Sequence, residues 1–256
     1  MSKIVTQELT LVIAIKNHDP LMVGEAFLKQ TGIIPSEWQL AQKPYLSQQA
    51  TQLVFDNGMS IVAEPERVVF SQALAERELS SIEIGEIASK YAAILKKADY
   101  QGIGINFRSF IPQSSHEAAQ TYISKYILAP ASWQQVGEAP VRANVNLNFS
   151  LSGRQLTLSI NPAAIQFPEQ ELMPVILFGG NFGYQLDAAD KLTQLTQILS
   201  KWQTDLVQYQ QLIERHFLTD VRDAVVIEES LPPISNTTEL KIENAPRLQP
   251  LTAAAV

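Results

Sequence analysis

The chain contains no cysteine, and that absence removes disulfide staples, thiolate nucleophiles and Cys-ligated zinc or iron–sulfur centres. Histidine is scarce: His18, His116 and His216 are the only three. No two of them share i, i+4 spacing, no HExxH occurs, and no carboxylate stands at ligand spacing from any of them, so no metal site is expected. Each reads as a surface or capping residue. Positive charge is also short, 19 Lys and Arg against 26 Asp and Glu, and the net charge of −7 argues against nucleic acid and anionic lipid as partners. No apolar run approaches the roughly 20 residues that span a bilayer. The opening MSKIVTQELT lacks the apolar stretch of a secretory signal, and the expectation is a cytoplasmic protein without membrane contact.

Conventional catalytic signatures are missing too. G-x-S-x-G and the P-loop do not occur, and Gly179-Gly180-Asn181-Phe182-Gly183 fits neither a P-loop nor GxGxxG; a strand bulge or irregular turn is the expectation there. Asp99, Glu83 and Glu86 are conceivable acid/base groups, yet nothing separates one pair from other solvated carboxylates. No catalytic residue and no cofactor is assigned.

What is present is a strong folding pattern. Hydrophobic residues make up 46% of 256, enough for a substantial core. Glu8 to Lys16 is short and rich in β-branched residues, which reads as a strand buried on both faces. Asp19-Pro20 opens a helix that Gly32 can end. Asn57-Gly58 lies between two apolar runs and reads as a tight hairpin turn, with a further strand at Arg67 to Ser71. Ser80-Ser81-Ile82-Glu83 is a capping-box pattern ahead of a helix carrying Ile84, Ile87, Tyr91, Ile94 and Leu95. The order is β-α-β-β-β-α.

The same order begins again with the strand Gly102 to Phe110, then Ser114 and Glu117 as a second capping box and a helix through Ile127. Residues 27–38 lie over 122–133 at an offset of 95, matching Pro35 with Pro130 and Trp38 with Trp133, and the same offset carries Gly58 onto Gly153. This predicts a tandem repeat. Both tryptophans are expected in core or rim packing, with a ligand-stacking pair as the alternative. Leu172 to Gln185 gives the last strand, and Asp187 with Asp190 opens one long helix whose apolar stripe runs from Leu192 to Phe217. At 1.5 Å per residue, about 30 residues reach roughly 45 Å, which leaves a far end for a partner chain.

The fold class expected is therefore α+β: a curved antiparallel sheet from two β-α-β-β-β-α units, with helices on one face and the other face open. The organisation is residues 1–99 as the first repeat, 100–218 as the second, and 219–256 as a mostly flexible tail, in which Ala224-Val225-Val226-Ile227 could pair with a sheet edge. In Val141 to Phe149, apolar residues alternate with Arg142, Asn144, Asn146 and Asn148; Asn106 and Arg108 are likewise out of phase with Ile103, Ile105 and Phe107. These six are the candidate binding residues, a polar face suited to a peptide, a carboxylate or an anionic small molecule. A merely solvated face is the competing reading.

Two segments also carry a resemblance. The run from Phe70 through Lys90-Tyr91 to Gly102-Ile103-Gly104-Ile105-Asn106-Phe107, together with residues 212–220 (LIERHFLTD), resembles an uncharacterised, sporadically distributed bacterial family of about this length, across residues 5–223. The resemblance implies no activity. The doubled element order is similar to the saddle fold of the TATA-binding protein, while the acidic balance opposes the same ligand. The function expected is a non-enzymatic protein-binding, assembly or regulatory role, its partner another protein or a second copy meeting the last helix. A small-molecule or nucleotide-binding regulator and an enzyme with a dispersed acid/base pair are the alternatives.

Overall fold

The structure is a computed structural model that describes residues 4–74, 77–138, 141–166, 171–187, 189–218 and 242–243. It is a mixed α+β chain on one large antiparallel sheet. The strands are β1 (Val5–Lys16), β2 (Tyr45–Leu46), β3 (Thr51–Val54), β4 (Met59–Glu64), β5 (Arg67–Ala73), β6 (Asp99–Pro112), β7 (Val145–Leu151), β8 (Arg154–Ile165), β9 (Met173–Gln185) and β10 (Ile242–Glu243). The helices are α1 (Glu25–Gln30), α2 (Ile84–Ile94), α3 (His116–Thr121), α4 (Lys191–Leu199) and α5 (Trp202–His216). No helix among the described residues is long and apolar enough to cross a membrane.

The strand order is β10-β8-β9-β6-β1-β5-β4-β3-β2, with β7 also beside β8. From the central pair of β1 and β6 the sheet runs outward through β5, β4 and β3 on one side and β9, β8 and β7 on the other. The register places Leu9 opposite Phe107, Leu11 opposite Ile105 and Phe70, and Phe182 opposite Ile105 and Leu156. All of these point to one face, where they meet Leu28, Ile87, Tyr91, Ile123, Leu195, Trp202, Leu206 and Tyr209 in a single core. The helices therefore cover one face. The strand at residues 8–16 is accordingly one-sided: Leu9, Leu11, Ile13 and Ile15 are buried, whereas Val12 and Ala14 are half-buried.

Several local signals resolve differently from the expectation. Asp19 caps a 3₁₀ turn, Pro20–Met22, and α1 starts only at Glu25, before Thr31 and a left-handed Gly32 at φ 70°. The capping box at Ser80 does not form. The first turn of α2 is instead capped from the sheet, where Gln72 Oε1 accepts from the Ile84 N–H at 3.1 Å. In α3 the cap is Ser115, which accepts from the Ala118 N–H, and the helix continues as a π-turn through Ile127. Only Gly58, at φ 77°, is left-handed in the β3–β4 hairpin, with Gly58 N–H bonded to Phe55 O, so three residues make the loop where two were expected. Residues 179–183 lie inside β9 in unbroken register with β6 and β8, and are neither bulge nor turn.

The long terminal helix is two helices. Lys201 N–H turns tightly back to Ile198 O, and the break sets Trp202 against Gly85 of α2, where an added Cβ would lie 3.0 Å from the indole. The apolar stripe, Leu195, Leu199, Trp202, Leu206, Tyr209 and Ile213, is buried on the molecule's own sheet. Towards the far end of α5, Leu212 and Phe217 are half-buried. Residues 219–241 and 244–256, including Ala224 to Ile227, lie outside the described residues; within the expected tail, Ile242 and Glu243 pair with Ile165 and Ala164 of β8.

Tyr209 fixes α5 to the sheet. Its ring stacks on Phe107 at 5.4 Å, its hydroxyl donates to Phe178 O at 3.0 Å, and it fills the space above Gly180, where a Cβ would fall 2.5 Å from the ring. Gly180→Ala should destabilise the protein by about 1–3 kcal/mol in urea unfolding because the ring has no room to retreat. Gly183→Ala, on the opposite face with only Asn181 Oδ1 at 3.9 Å, should change stability by less than about 0.5 kcal/mol.

Candidate functional site

The uncovered face is ordered by register. One row crosses seven strands: Asn148 of β7, Thr157 of β8, Asn181 of β9, Asn106 of β6, Thr10 of β1, Ser71 of β5 and Ser60 of β4 stand successively opposite one another. Hydrogen bonds tie much of it together. Thr157 Oγ1 donates to Asn148 Oδ1 at 2.9 Å, Asn181 Nδ2 donates to Asn106 Oδ1, Asn106 Nδ2 donates to Thr10 O at 3.2 Å, and the Thr10 and Ser71 hydroxyls pair at 3.0 Å. Asn106 and Thr10 are buried within the row, whereas Asn148 and Thr157 are exposed.

The flanking rows differ in chemistry. Asn146, Ser159, Gly179, Arg108 and Glu8 form one, in which Arg108 Nη1 lies 3.2 Å from Glu8 Oε2. The other runs from half-buried Val62, Val69 and Val12 to Gly104 and Gly183, so two adjacent central strands present no side chain there. The face is not polar throughout. At one end Phe110, Ile165, Val175 and Leu177 make a second small apolar cluster.

Of the six residues expected from sequence, Asn106 and Asn148 share the seven-strand row, three strand spacings or about 14 Å apart. Asn146 and Arg108 share the next row, with Arg108 engaged by Glu8. Arg142 and Asn144 precede β7 and, with His116, Gln120 and Pro162 to Ala164, line a cavity of about 390 Å³ at the edge of β8. Thr10, Ser60, Ser71, Thr157 and Asn181 were missed. A signal existed in three of them: Thr10 interrupts an apolar run, Asn181 sits among glycines, and Thr157 alternates with Leu156 and Leu158.

Other polar groups stand on the covered face. His18 is buried, not a surface residue; Asn17, in the left-handed region at φ 54°, turns the chain to bring it under the sheet end. His18 Nδ1 lies 3.2 Å from Glu64 O and Nε2 lies 2.5 Å from the Tyr91 hydroxyl. A carbonyl only accepts, so Nδ1 carries the proton and Nε2 receives the tyrosine's. Burial lowers the His18 pKa, with the Glu64 carbonyl and Asp19 opposing, and burial raises that of Tyr91. His116 and His216 are exposed, Trp38 packs edge-on against Phe55 at 5.3 Å, and Trp133 is 43% exposed, so the two tryptophans do not share an environment.

Asp205 of α5 is buried, and Tyr184 donates to its Oδ2 at 2.6 Å while Arg154 Nη2 stands 3.3 Å from Oδ1. Arg154 also donates to Gln208 and lies over the rings of Phe182 and Tyr184 at 5.5 and 5.8 Å. Burial raises the Asp205 pKa, opposed by the Tyr184 hydrogen bond and the Arg154 charge. The arrangement ties β8, β9 and α5 together. Among the described residues no group of three or more His, Asp and Glu is placed to hold a metal ion. No family model matches the chain, and no curated protein matches it.

Two measurements follow from these buried groups. Arg154→Met should cost about 3 kcal/mol by leaving Asp205 charged and without its cation, and Arg154→Met with Asp205→Asn should recover much of that in a double-mutant cycle of denaturant melts. A histidine with a lowered folded pKa binds its proton more weakly when folded. Stability from this group is therefore full above pH 6.5 and declines as pH falls through 6.5 towards the folded value. His18→Gln should remove that part of the slope, and Tyr91→Phe should cost about 1–3 kcal/mol at neutral pH.

Proposed function

We propose that this chain is a non-enzymatic binding or assembly protein that engages another protein across the uncovered face of its sheet. The observation that carries this reading is the seven-strand polar row, in which neutral amides and hydroxyls offer both donors and acceptors at regular strand spacing. Beside it, Gly104 and Gly183 leave a stretch of backbone that another chain could approach closely. The net charge of −7 favours a polypeptide over nucleic acid or an anionic membrane.

A duplicated scaffold is part of this proposal. Its support is the strand order running outward from β1 and β6 and the left-handed Gly58 and Gly153 at an offset of 95. The likeness to a bacterial family and to the TATA-binding-protein saddle belongs to the same reading and adds no ligand to it. A second reading, an anionic small-molecule ligand, is favoured by one observation: among the described residues, the cavity lined by His116, Gln120, Arg142 and Asn144 has no carboxylate in its wall.

Photo-crosslinking in native extract separates these readings from a bare solvated face. A benzophenone side chain at exposed Gln155 or Thr157 should give a discrete heterologous adduct, whereas one at exposed Val207 of α5 should not. No adduct at either face position would sink the proposal, and a retained small mass in native mass spectrometry would favour the cavity.

A further inference from the structure

The two long borders of the sheet are built differently. On one side β2 is two residues long, with Tyr45 and Leu46 exposed, and follows Lys43-Pro44. Proline, a nearby lysine and shortness are the usual ways in which a sheet border is made unfit for pairing. The other border has none of them. β7 is seven residues long, reads VNLNFSL, pairs among the described residues only with β8, and contains no proline and no charged residue. Its pairing with β8 runs from Val145↔Ile160 to Leu151↔Arg154 without a register shift, so no bulge turns it away. Along its outer side, alternate backbone N–H and C=O groups have no strand partner among the described residues.

We infer that β7 is a self-pairing edge, and that two copies of this chain join antiparallel along it about a two-fold axis at Asn148. The sequence of the strand is what selects a second copy. With Asn148 opposite itself, Leu147 faces Phe149, Val145 faces Leu151 and Asn146 faces Ser150, so apolar meets apolar on the covered side and polar meets polar on the open side. Val145, Leu147, Phe149 and Leu151 are only half-buried in one chain although they pack on its core. Pairing extends that core across the axis. At the axis, Asn148 Oδ1 already accepts from Thr157, which leaves Nδ2 to meet the same amide of the second copy. In a chain of net charge −7 this is a segment where two copies can meet without like charges opposed. Arg154, the nearest cation in register, is turned inward to Asp205. This inference does not depend on what the open face binds.

The test uses the full chain and charge at the axis. Wild type should sediment with the mass of two chains. Asn148→Lys and Asn148→Asp should each run at half that mass, since each opposes two like charges, and an equimolar mixture should return to the mass of the pair. That recovery also shows that both variants are folded. A wild-type chain that is monomeric at every concentration overturns the inference, as does a dimer that Asn148→Lys leaves intact or a mixture that stays monomeric.

Discussion

The pairing of β1 with β6 is the constraint on which the rest depends. It runs from Val5↔Phe110 to Lys16↔Asp99 and is, among the described residues, the only link between β2–β5 on one side and β7–β9 on the other within the sheet. Because side chains alternate along a strand, this one register decides which residues of every other strand face the helices. A slip by one residue would put Leu9, Leu11, Ile105 and Phe107 into water and Thr10 and Asn106 into the core. Two interruptions, at Thr6/Glu8 and Ala14/Ile15, flank the stretch and keep the disturbance at its ends.

Helices then attach to this frame by fixed points more than by general greasiness. Tyr209 occupies the gap above Gly180, Trp202 sits on Gly85, and Arg154 with Asp205 and Tyr184 ties α5 to two strands. Each uses a residue too small to fill its own place or a polar pair that must be satisfied. A buried ion pair is weak evidence of stability in itself. Here it orients one helix against β8 and β9.

Much of the sheet was legible in the sequence because strands alternate. The runs at residues 8–16 and 102–110 fall within β1 and β6, the run 172–185 covers all of β9 and one residue before it, and the out-of-phase Asn and Arg residues mark the open side of β6 and β7. Helix ends were legible only in part: Asp190 caps α4 and left-handed Gly32 follows α1 as their residue types suggest, but the other caps were not. A capping box at residues 80–83 is a local motif, but the cap comes from Gln72, twelve residues earlier and on another element. The break at Ser200 and Lys201 was hidden because both halves share one apolar stripe, and periodicity does not register a change of axis. The row from Asn148 to Ser60 was invisible for a related reason. It is perpendicular to the chain, and only the pairing of seven strands brings its members into line.

The cap on α2 also governs how the helix can move. A helix with its own serine or aspartate cap can loosen from a sheet and keep its first turn. The first turn of α2 instead leans on Gln72, which is 1% exposed and belongs to β5. Undocking this helix would strip its N-terminus of that acceptor and leave a buried amide without a partner on the sheet. Local opening is thereby coupled to a wider loss of order, so that α2 and β5 should exchange their amide protons as one cooperative unit.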